Sequence, residues 1–318
     1  MLQDVPMSIA AFSDTFFQDT GVTDFKELEN YTASLKITPG TGSRDTSIRI
    51  RGIGSVGSNS GIDPSVGIFI DNVYQGRAGM SMSDFIDIER VEVLRGPQGT
   101  LYGKNTAAGA ISVITKAPTS EFEGSIETIL GNYGAEEIRG MVNIPLNDMG
   151  DAVRLTGYNV ERDGFDDNTY TGEEVNDVNK WGLKAKALFE TDNLGTFTIT
   201  VDKSEDDSNC CAPDIISYDG ISNLDITFQD LANATGTPLP AADGFDRKIT
   251  ANEPYSNKVE VQGITVDWYK DLDNDSIVSL IASVREYESV TAFDADFSLY
   301  DAAGVGSTDV DFEQQSLE

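Results

Sequence analysis

The chain has 318 residues, of which 39% are apolar, so a folded protein of about two domains is expected. It carries 22 basic and 54 acidic residues, and this net charge of −32 makes binding to nucleic acid or to anionic lipid headgroups electrostatically unfavourable. The sequence contains no histidine, which excludes an imidazole base, a Ser-His-Asp triad and a histidine-rich metal site from these residues. Because no nucleophile, base or metal-ligand cluster converges either, the sequence predicts neither an enzyme nor a resident cofactor or metal.

The hydropathy of the chain limits how it can enter a membrane. No run of about 18 apolar residues occurs, so no membrane-spanning helix is predicted. The N-terminal residues MLQDVPMSIAAF also lack the basic start and apolar run of a signal peptide. A membrane protein built without such helices has to be a closed β-barrel.

The sequence pattern changes near Pro118, and residues 1–118 form the first predicted domain. Aromatic and aliphatic residues between positions 14 and 31 recur in a helical rhythm that is broken at Gly21, which predicts two short helices. Short apolar runs bounded by Gly, Pro, Asn or Asp then predict four strands, at 47–52, 65–71, 88–96 and 109–116. This domain is therefore expected to be α+β.

Residues 119–318 read as long alternating segments. In residues 180–190, for example, Trp181, Leu183 and Ala185 alternate with residues that are mostly charged. Alternation over about ten residues is typical of transmembrane β-strands. The predicted strands lie at 122–131, 135–147, 152–162, 179–191, 194–206, 257–270 and 276–291, with an eighth from about 309.

The connections between these strands distinguish a barrel from other β-structures. Short connections at 147–151, 191–195 and 271–275 alternate with long ones at 163–178, 207–256 and 292–308. Short periplasmic turns and long outer loops are what an outer-membrane barrel requires, although a soluble β-sandwich is the alternative by periodicity alone.

One strand changes phase, since Val259 and Val261 alternate on one face and Ile264 and Val266 on the other. A bulge near Gly263 is the expected explanation.

Two local motifs lead to weaker predictions. Gly52, Gly54 and Gly57 have the spacing of a dinucleotide fingerprint, but the loop that follows offers no helix N-terminus to a pyrophosphate, so a nucleotide site is not predicted. The acidic stretch DKSEDDSNCCAPD, residues 202–214, opens the longest loop, where a solvated surface is the first interpretation and a cation or substrate contact the alternative. Its adjacent Cys210 and Cys211 leave a vicinal disulfide and two free thiols both open.

Three segments resemble the plug domain of TonB-dependent outer-membrane receptors: TSIRIRGIG at 46–54, PSVGIFIDNVYQGR at 64–77 and IERVEVLRGPQGTLYGKNTAAGAISVITKAP at 88–118. The resemblance covers residues 2–118, and the later strands look like the family's barrel. It implies an α+β plug domain at 1–118 followed by the N-terminal portion of an antiparallel transmembrane β-barrel at 119–318, with about seven or eight of roughly twenty-two strands.

The resemblance also implies roles for individual residues. Arg51 and Arg95 match arginines that lock the plug by pairing with barrel glutamates, which are expected to come from later strands. The plug loops 55–63 and 75–80 match loops that face the substrate cavity. The candidate substrate contacts in them are Ser58, Asn59, Asp63, Gln75 and Arg77.

The implied function is that of a receptor and transporter in the outer membrane of a Gram-negative bacterium, with the plug facing the periplasm and the barrel lumen. It would take up a scarce nutrient with energy from the TonB complex; a ferric siderophore is the expected substrate, with cobalamin, haem and oligosaccharides as alternatives. The coupling segment and signal peptide of the family are not found in the sequence, and its end lies inside a strand, so a fragment is expected. The alternative from another class is a secreted or surface β-rich adhesion protein, whose apolar strand faces would pack into a dry core.

Overall fold

The computed structural model describes most of the chain. The residues it describes are 8–40, 45–57, 62–81, 85–191, 193–213, 230, 233–234, 236, 245–272, 276–294 and 305–318. Within them, no helix is long and apolar enough to cross a membrane.

The N-terminal unit, residues 8–115, contains two small sheets. Its strands are β1 (Ser8–Ser13), β2 (Leu35–Thr38), β3 (Ser47–Ile50), β4 (Ile53–Gly54), β5 (Val66–Ile70), β6 (Val73–Tyr74), β7 (Ile88–Arg95) and β8 (Gly109–Thr115). One sheet has the order β1-β7-β8-β5-β6 and the other the order β2-β3-β4. The strands β5 and β8 are parallel, whereas the other neighbours are antiparallel. The four strands predicted in this part of the chain are confirmed within a few residues.

Short helices precede and interrupt these sheets. Helix α1 (Asp14–Thr20) is capped by Ser13, whose side chain accepts a hydrogen bond from the Phe16 amide, and it ends at Gly21 with a φ of 68°. A 3₁₀ helix follows at Phe25–Asn30 and carries a capping box between Asp24 and Glu27. The two predicted short helices are therefore confirmed, and the sequence reasoning missed the 3₁₀ turn Ala78–Ser81 and helix α2 (Gly99–Tyr102).

The core of this unit lies between its sheets and the two helices. Phe25 and Leu28 from the 3₁₀ helix, Ile50 from β3, Val91 from β7 and Ile111 from β8 are completely buried in one cluster. Burying each such side chain contributes roughly 1.5–3 kcal/mol. The N-terminal unit therefore has its own hydrophobic core, as a separately folding domain requires.

The second part of the chain forms one antiparallel sheet of eight strands, which we call the wall. Its strands are β9 (Glu123–Leu130), β10 (Glu136–Pro145), β11 (Ala152–Arg162), β14 (Val178–Thr191), β15 (Gly195–Ser208), β17 (Ser256–Asp271), β18 (Ile277–Asp294) and β19 (Val305–Leu317). Their order in the sheet is β19-β18-β17-β15-β14-β11-β10-β9. All eight predicted strands are present, and after the first hairpin short turns alternate with long connections as expected.

Strand register separates the two faces of the wall. One cross-strand row runs through Leu155, Ala185, Val201, Ile264 and Val284, and four of these five side chains, all except Ala185, are exposed on the outer face. The row one residue away runs through Arg154, Lys186, Thr200, Thr265 and Ser283, all buried on the inner face. Apolar side chains outside and polar ones inside are the arrangement of a transmembrane barrel and the opposite of a soluble sandwich.

The bulge predicted near Gly263 is wrong. Strand β17 pairs without interruption with β15 and with β18 across its length, and Gly263 lies opposite Asp202 and Arg285. The change of phase has another cause: Val259 and Val261 point inward and pack against Met80 of the N-terminal unit. Inner-face residues are apolar here because the N-terminal unit covers them.

The long connections carry structure that the sequence reasoning missed. Strands β12 (Asp166–Asn168) and β13 (Glu174–Val175) form a hairpin, and β16 (Lys248–Ile249) adds to it in parallel, which ties two loops into one small sheet. Val175, Ala212, Ile249, Ala251 and Tyr255 form its core. Cys210 and Cys211 beside it are joined as a vicinal disulfide.

Candidate functional site at the contact between the N-terminal unit and the wall

The N-terminal unit lies against the polar inner face of the wall, and buried ion pairs join them. Arg154 of β11 is 2% exposed and forms a two-point pair with Asp87 of the N-terminal unit. Its Nε lies 2.5 Å from one carboxylate oxygen and its Nη2 lies 2.6 Å from the other. Arg154 Nη1 also donates to Glu123 of β9 at 3.2 Å. Such bidentate, charge-assisted bonds fix orientation as well as contributing energy.

A second pairing lies one strand further along the wall. Lys186 Nζ of β14 lies 3.0 Å from Asp71 Oδ2, and Lys184 Nζ lies 4.0 Å from the same oxygen. Asp71 occupies the tight turn between β5 and β6 with a φ of 48°, and its carboxylate also accepts bonds from the amide and the hydroxyl of Thr115, each at 2.8 Å. Lys186 in turn donates to the Thr115 carbonyl oxygen at 3.2 Å.

These contacts set the ionisation of Asp71. Burial by itself raises the pKa of this carboxyl, but the attraction of Lys186 and Lys184 and the bond from the Thr115 amide outweigh it, so the pKa of Asp71 lies below its ordinary value. Asp71 is therefore a carboxylate at neutral pH and holds two wall lysines.

Other contacts between the two parts have the same polarity. Lys180 of β14 lies 3.9 Å from Asp24, and Arg139 of β10 donates to the carbonyl oxygen of Phe85 at 2.5 Å while it pairs with Glu137 on its own strand. In each case the wall supplies the cation and the N-terminal unit supplies an oxygen. The sequence reasoning missed this set, although the signal was present, because Lys180, Lys184 and Lys186 share one face of an alternating strand.

A cavity of about 80 Å³ lies between the two parts. Asp71 and Lys184 line it beside a wall ion pair, in which Arg285 Nη2 lies 2.6 Å from Asp202 Oδ2. Its remaining lining mixes hydroxyl groups with aliphatic and aromatic side chains. The contact therefore combines fixed charges with space large enough for water.

The two predicted lock residues lie side by side at strand ends. Arg51 follows β3 with a φ of 54°, and its Nη1 lies close to Gly96, the residue after Arg95. Arg95 Nη1 donates to the carbonyl oxygen of Ala33 at 3.4 Å. Within the described residues neither arginine forms an ion pair, so their role as lock residues stays a prediction.

The predicted substrate contacts lie in different environments. Ser58 and Asn59 lie outside the described residues. Asp63 is exposed, with its carboxylate 4.0 Å from Arg77 Nη1. Arg77 lies over the ring of Phe312 on β19, 4.7 Å from its centroid, whereas the Gln75 side chain is only 1% exposed and donates to the Val73 carbonyl oxygen. The structure thus brings Asp63 and Arg77 together and buries Gln75, and substrate contact stays a prediction. In the described part of the chain, no group of three or more acidic, histidine or cysteine side chains is placed to hold a metal ion.

Comparison with protein families finds that residues 1–110 match the TonB-dependent Receptor Plug Domain. The pesticin receptor of Yersinia enterocolitica is 35% identical over 109 residues, which cover 34% of this chain and 16% of the relative. The vitamin B12 transporter BtuB of Vibrio cholerae is 25% identical over 242 residues, which cover 63% of this chain and 38% of the transporter.

Solved structures match nearly the whole chain. The ferric yersiniabactin uptake receptor FyuA from Yersinia pestis superimposes with a TM-score of 0.74 at 20% identity, covering 91% of this chain and 42% of the receptor. The pyoverdine outer membrane receptor FpvA from Pseudomonas aeruginosa superimposes with a TM-score of 0.71 at 17% identity, covering 98% of this chain and 42% of that receptor. At such identities the match establishes a common fold, and the chain spans less than half the length of these proteins.

Proposed function

We propose a transport function from the premise that the chain belongs to the TonB-dependent receptor family and is therefore a protein of the Gram-negative outer membrane. Family members are receptors and transporters rather than enzymes. The proposed function is energy-coupled uptake of a scarce nutrient, in which the N-terminal unit is the plug and the wall is the first part of the barrel.

The observation that carries the proposal is the chemistry of the contact between plug and wall. The plug has its own apolar core, while buried ion pairs from Arg154 and Lys186 hold it to the wall. Ion pairs and hydrogen bonds can exchange for water when the plug shifts. The apolar cluster that plug and wall share, around Met80, Val259 and Val261, is small beside the plug's own core. A plug attached in this way can be displaced from the wall and can then return to it, as a reversible barrier requires.

The proposal includes a domain boundary at residue 118, and the contacts at the junction between plug and barrel support it. Asn143 of β10 is completely buried, and its side-chain bonds to described residues all go to the segment 119–121. Its Oδ1 accepts from the Thr119 amide at 3.0 Å, and its Nδ2 donates to the carbonyl oxygens of Thr119 and Glu121 at 2.8 and 2.6 Å. The wall thus fixes the linker directly after Pro118.

The proposed substrate is a ferric siderophore. Relatives and structural neighbours are named as receptors for ferric yersiniabactin, pyoverdine and vitamin B12, so cobalamin is the first rival and haem and oligosaccharides follow. The proposed contacts are Ser58, Asn59, Asp63, Gln75 and Arg77, and the proposed energy-coupling partner is the TonB complex. Arg51 and Arg95 are proposed to lock the plug through carboxylates beyond the described residues.

The test is uptake by cells that express the full-length gene product containing this chain. Labelled ferric siderophores, cobalamin and haem are compared in cells with and without the gene, and in the presence of an uncoupler. Gene-dependent, uncoupler-sensitive uptake of a ferric siderophore is expected. Uptake of cobalamin or haem alone would reject the siderophore and keep the transport function, while no energy-dependent uptake of any tested nutrient, with the protein present in the outer membrane, would count against the proposal.

A further inference from the structure

We infer that Gln314, on the inner face of β19, is a positioning residue that fixes the plug loop 74–77 to the wall. Its Oε1 accepts a hydrogen bond from the Gly76 amide at 2.9 Å. Its Nε2 donates to the Tyr74 carbonyl oxygen at 2.6 Å. One wall side chain therefore holds the plug backbone on both sides of Gln75.

The plug loop is shaped to accept this side chain. A Cβ atom added at Gly76 would lie 2.5 Å from Gln314 Oε1 and 3.0 Å from the Phe312 ring, so a residue with a side chain does not fit without a shift. The next residue, Arg77, lies over the same Phe312 ring. The inner face of the wall strand thus contacts Tyr74, Gly76 and Arg77 of the loop.

The loop is equally fixed on the plug side. The Gln75 amide donates to the Ile68 carbonyl oxygen at 2.8 Å, and the Tyr74 hydroxyl accepts from Asn105 at 2.9 Å. The loop therefore connects the plug core to β19. By contrast, the neighbouring Gln315 points outward and donates to Glu313 on its own strand.

This contact differs in chemistry from the ion pairs of β11 and β14. An amide side chain bonded to backbone groups carries no net charge, so neither salt nor the titration of carboxylates weakens it directly. The plug is thus held at two separate places, by charges near Asp71 and Asp87 and by a neutral amide at Gly76. The inference rests on the proposed function only because it treats the N-terminal unit as a plug that has to be held. Its test measures local opening of the loop rather than uptake of a substrate.

The experiment is amide hydrogen exchange on the purified full-length protein in detergent micelles. In Gln314→Met, peptides covering residues 74–78 are expected to exchange about fivefold faster, the factor that loss of one hydrogen bond typically produces. Peptides covering residues 85–91, beside the Asp87 pair, should keep their rate. The matched control, Gln315→Met, should change neither.

A double-mutant cycle separates a direct contact from general loosening. Gly76→Ala is expected to accelerate exchange in the same segment, and adding Gln314→Met to it should have little further effect, because both changes break one contact. Unchanged exchange at 74–78 in Gln314→Met overturns the inference. So do equal acceleration at 85–91 and an additive double mutant. Each of these results is independent of whether cells take up a substrate.

Discussion

Arg154 and Lys186 face each other directly across the β11–β14 ladder, and each reaches a different carboxylate of the plug. Two cations opposite one another on a buried face repel, since like charges on paired strands are unfavourable. Asp87 and Asp71 remove that repulsion from the other side of the contact. The inner face of the wall and the plug are therefore electrostatically complementary.

The first prediction concerns Asp87→Asn. In this variant Arg154 keeps a hydrogen-bond acceptor but loses most of the negative charge that balances its own. Because Arg154 is only 2% exposed, the plug should lose about 3–5 kcal/mol of stability against local unfolding. Glu89→Gln is the matched control, because Glu89 pairs with Arg90 at an exposed position and its loss should cost less than about 1 kcal/mol. Amide exchange of residues 85–95 in the full-length protein measures both. Equal effects of the two changes would show that the buried pair contributes no more than a surface pair.

Much of this architecture could be predicted from the sequence, because alternation determines the two faces of each wall strand. Lys180, Lys184 and Lys186 share a phase, so their common face was readable. Their partners could not be predicted, because Asp71 lies in a turn whose position along the barrel axis depends on how the plug packs. The inward phase of Val259 and Val261 was misread for the same reason: the residues that cover them, such as Met80, are distant in sequence.

The second prediction is a pH dependence. The pKa of Asp71 is lower in the folded protein than its ordinary value of about 3.9, so its carboxylate stabilises the folded state at all pH values well above that. This contribution should stay constant from about pH 8 to pH 5 and be lost as the pH falls below about 4 through the lowered pKa. The charged groups that face it are Lys184, Lys186 and Asp267.

Comparison with Asp71→Asn isolates this effect. The variant should be less stable by about 2 kcal/mol at pH 7, because a bond to a charged group is replaced by a neutral one. The difference between the two proteins should shrink as the pH falls below 4. Guanidinium unfolding of the plug at each pH measures it, and a difference that stays the same down to pH 3 would contradict the assignment.

The third prediction tests how closely the plug packs against the wall. A Cβ atom at Gly79 would lie 2.4 Å from the hydroxyl oxygen of Tyr287, a completely buried residue of β18. Gly79→Ala should therefore push the 3₁₀ turn away from the wall and cost about 1–3 kcal/mol, the usual cost of overpacking. Gly99→Ala is the control, since a Cβ there meets no atom within 4 Å. The thermal unfolding midpoint of Gly79→Ala should be lower than that of Gly99→Ala. Equal midpoints would mean that the neighbours of Gly79 move aside without loss of stability.

The last prediction concerns the proposed lock residues. Arg51→Gln and Arg95→Gln should each weaken the hold on the plug by up to about 1 kcal/mol if the arginines meet carboxylates of the full-length barrel. Because the Arg51 amide bonds to Ser34 and the Arg95 guanidinium to the adjacent Ala33, the effects of the two changes should be less than additive in the double variant. Lys36→Gln, which removes an exposed pair with Glu29 on the plug itself, is the charge-matched control. Exchange at residues 90–96 of the full-length protein is the measurement, and single variants that match the control would leave the lock without support.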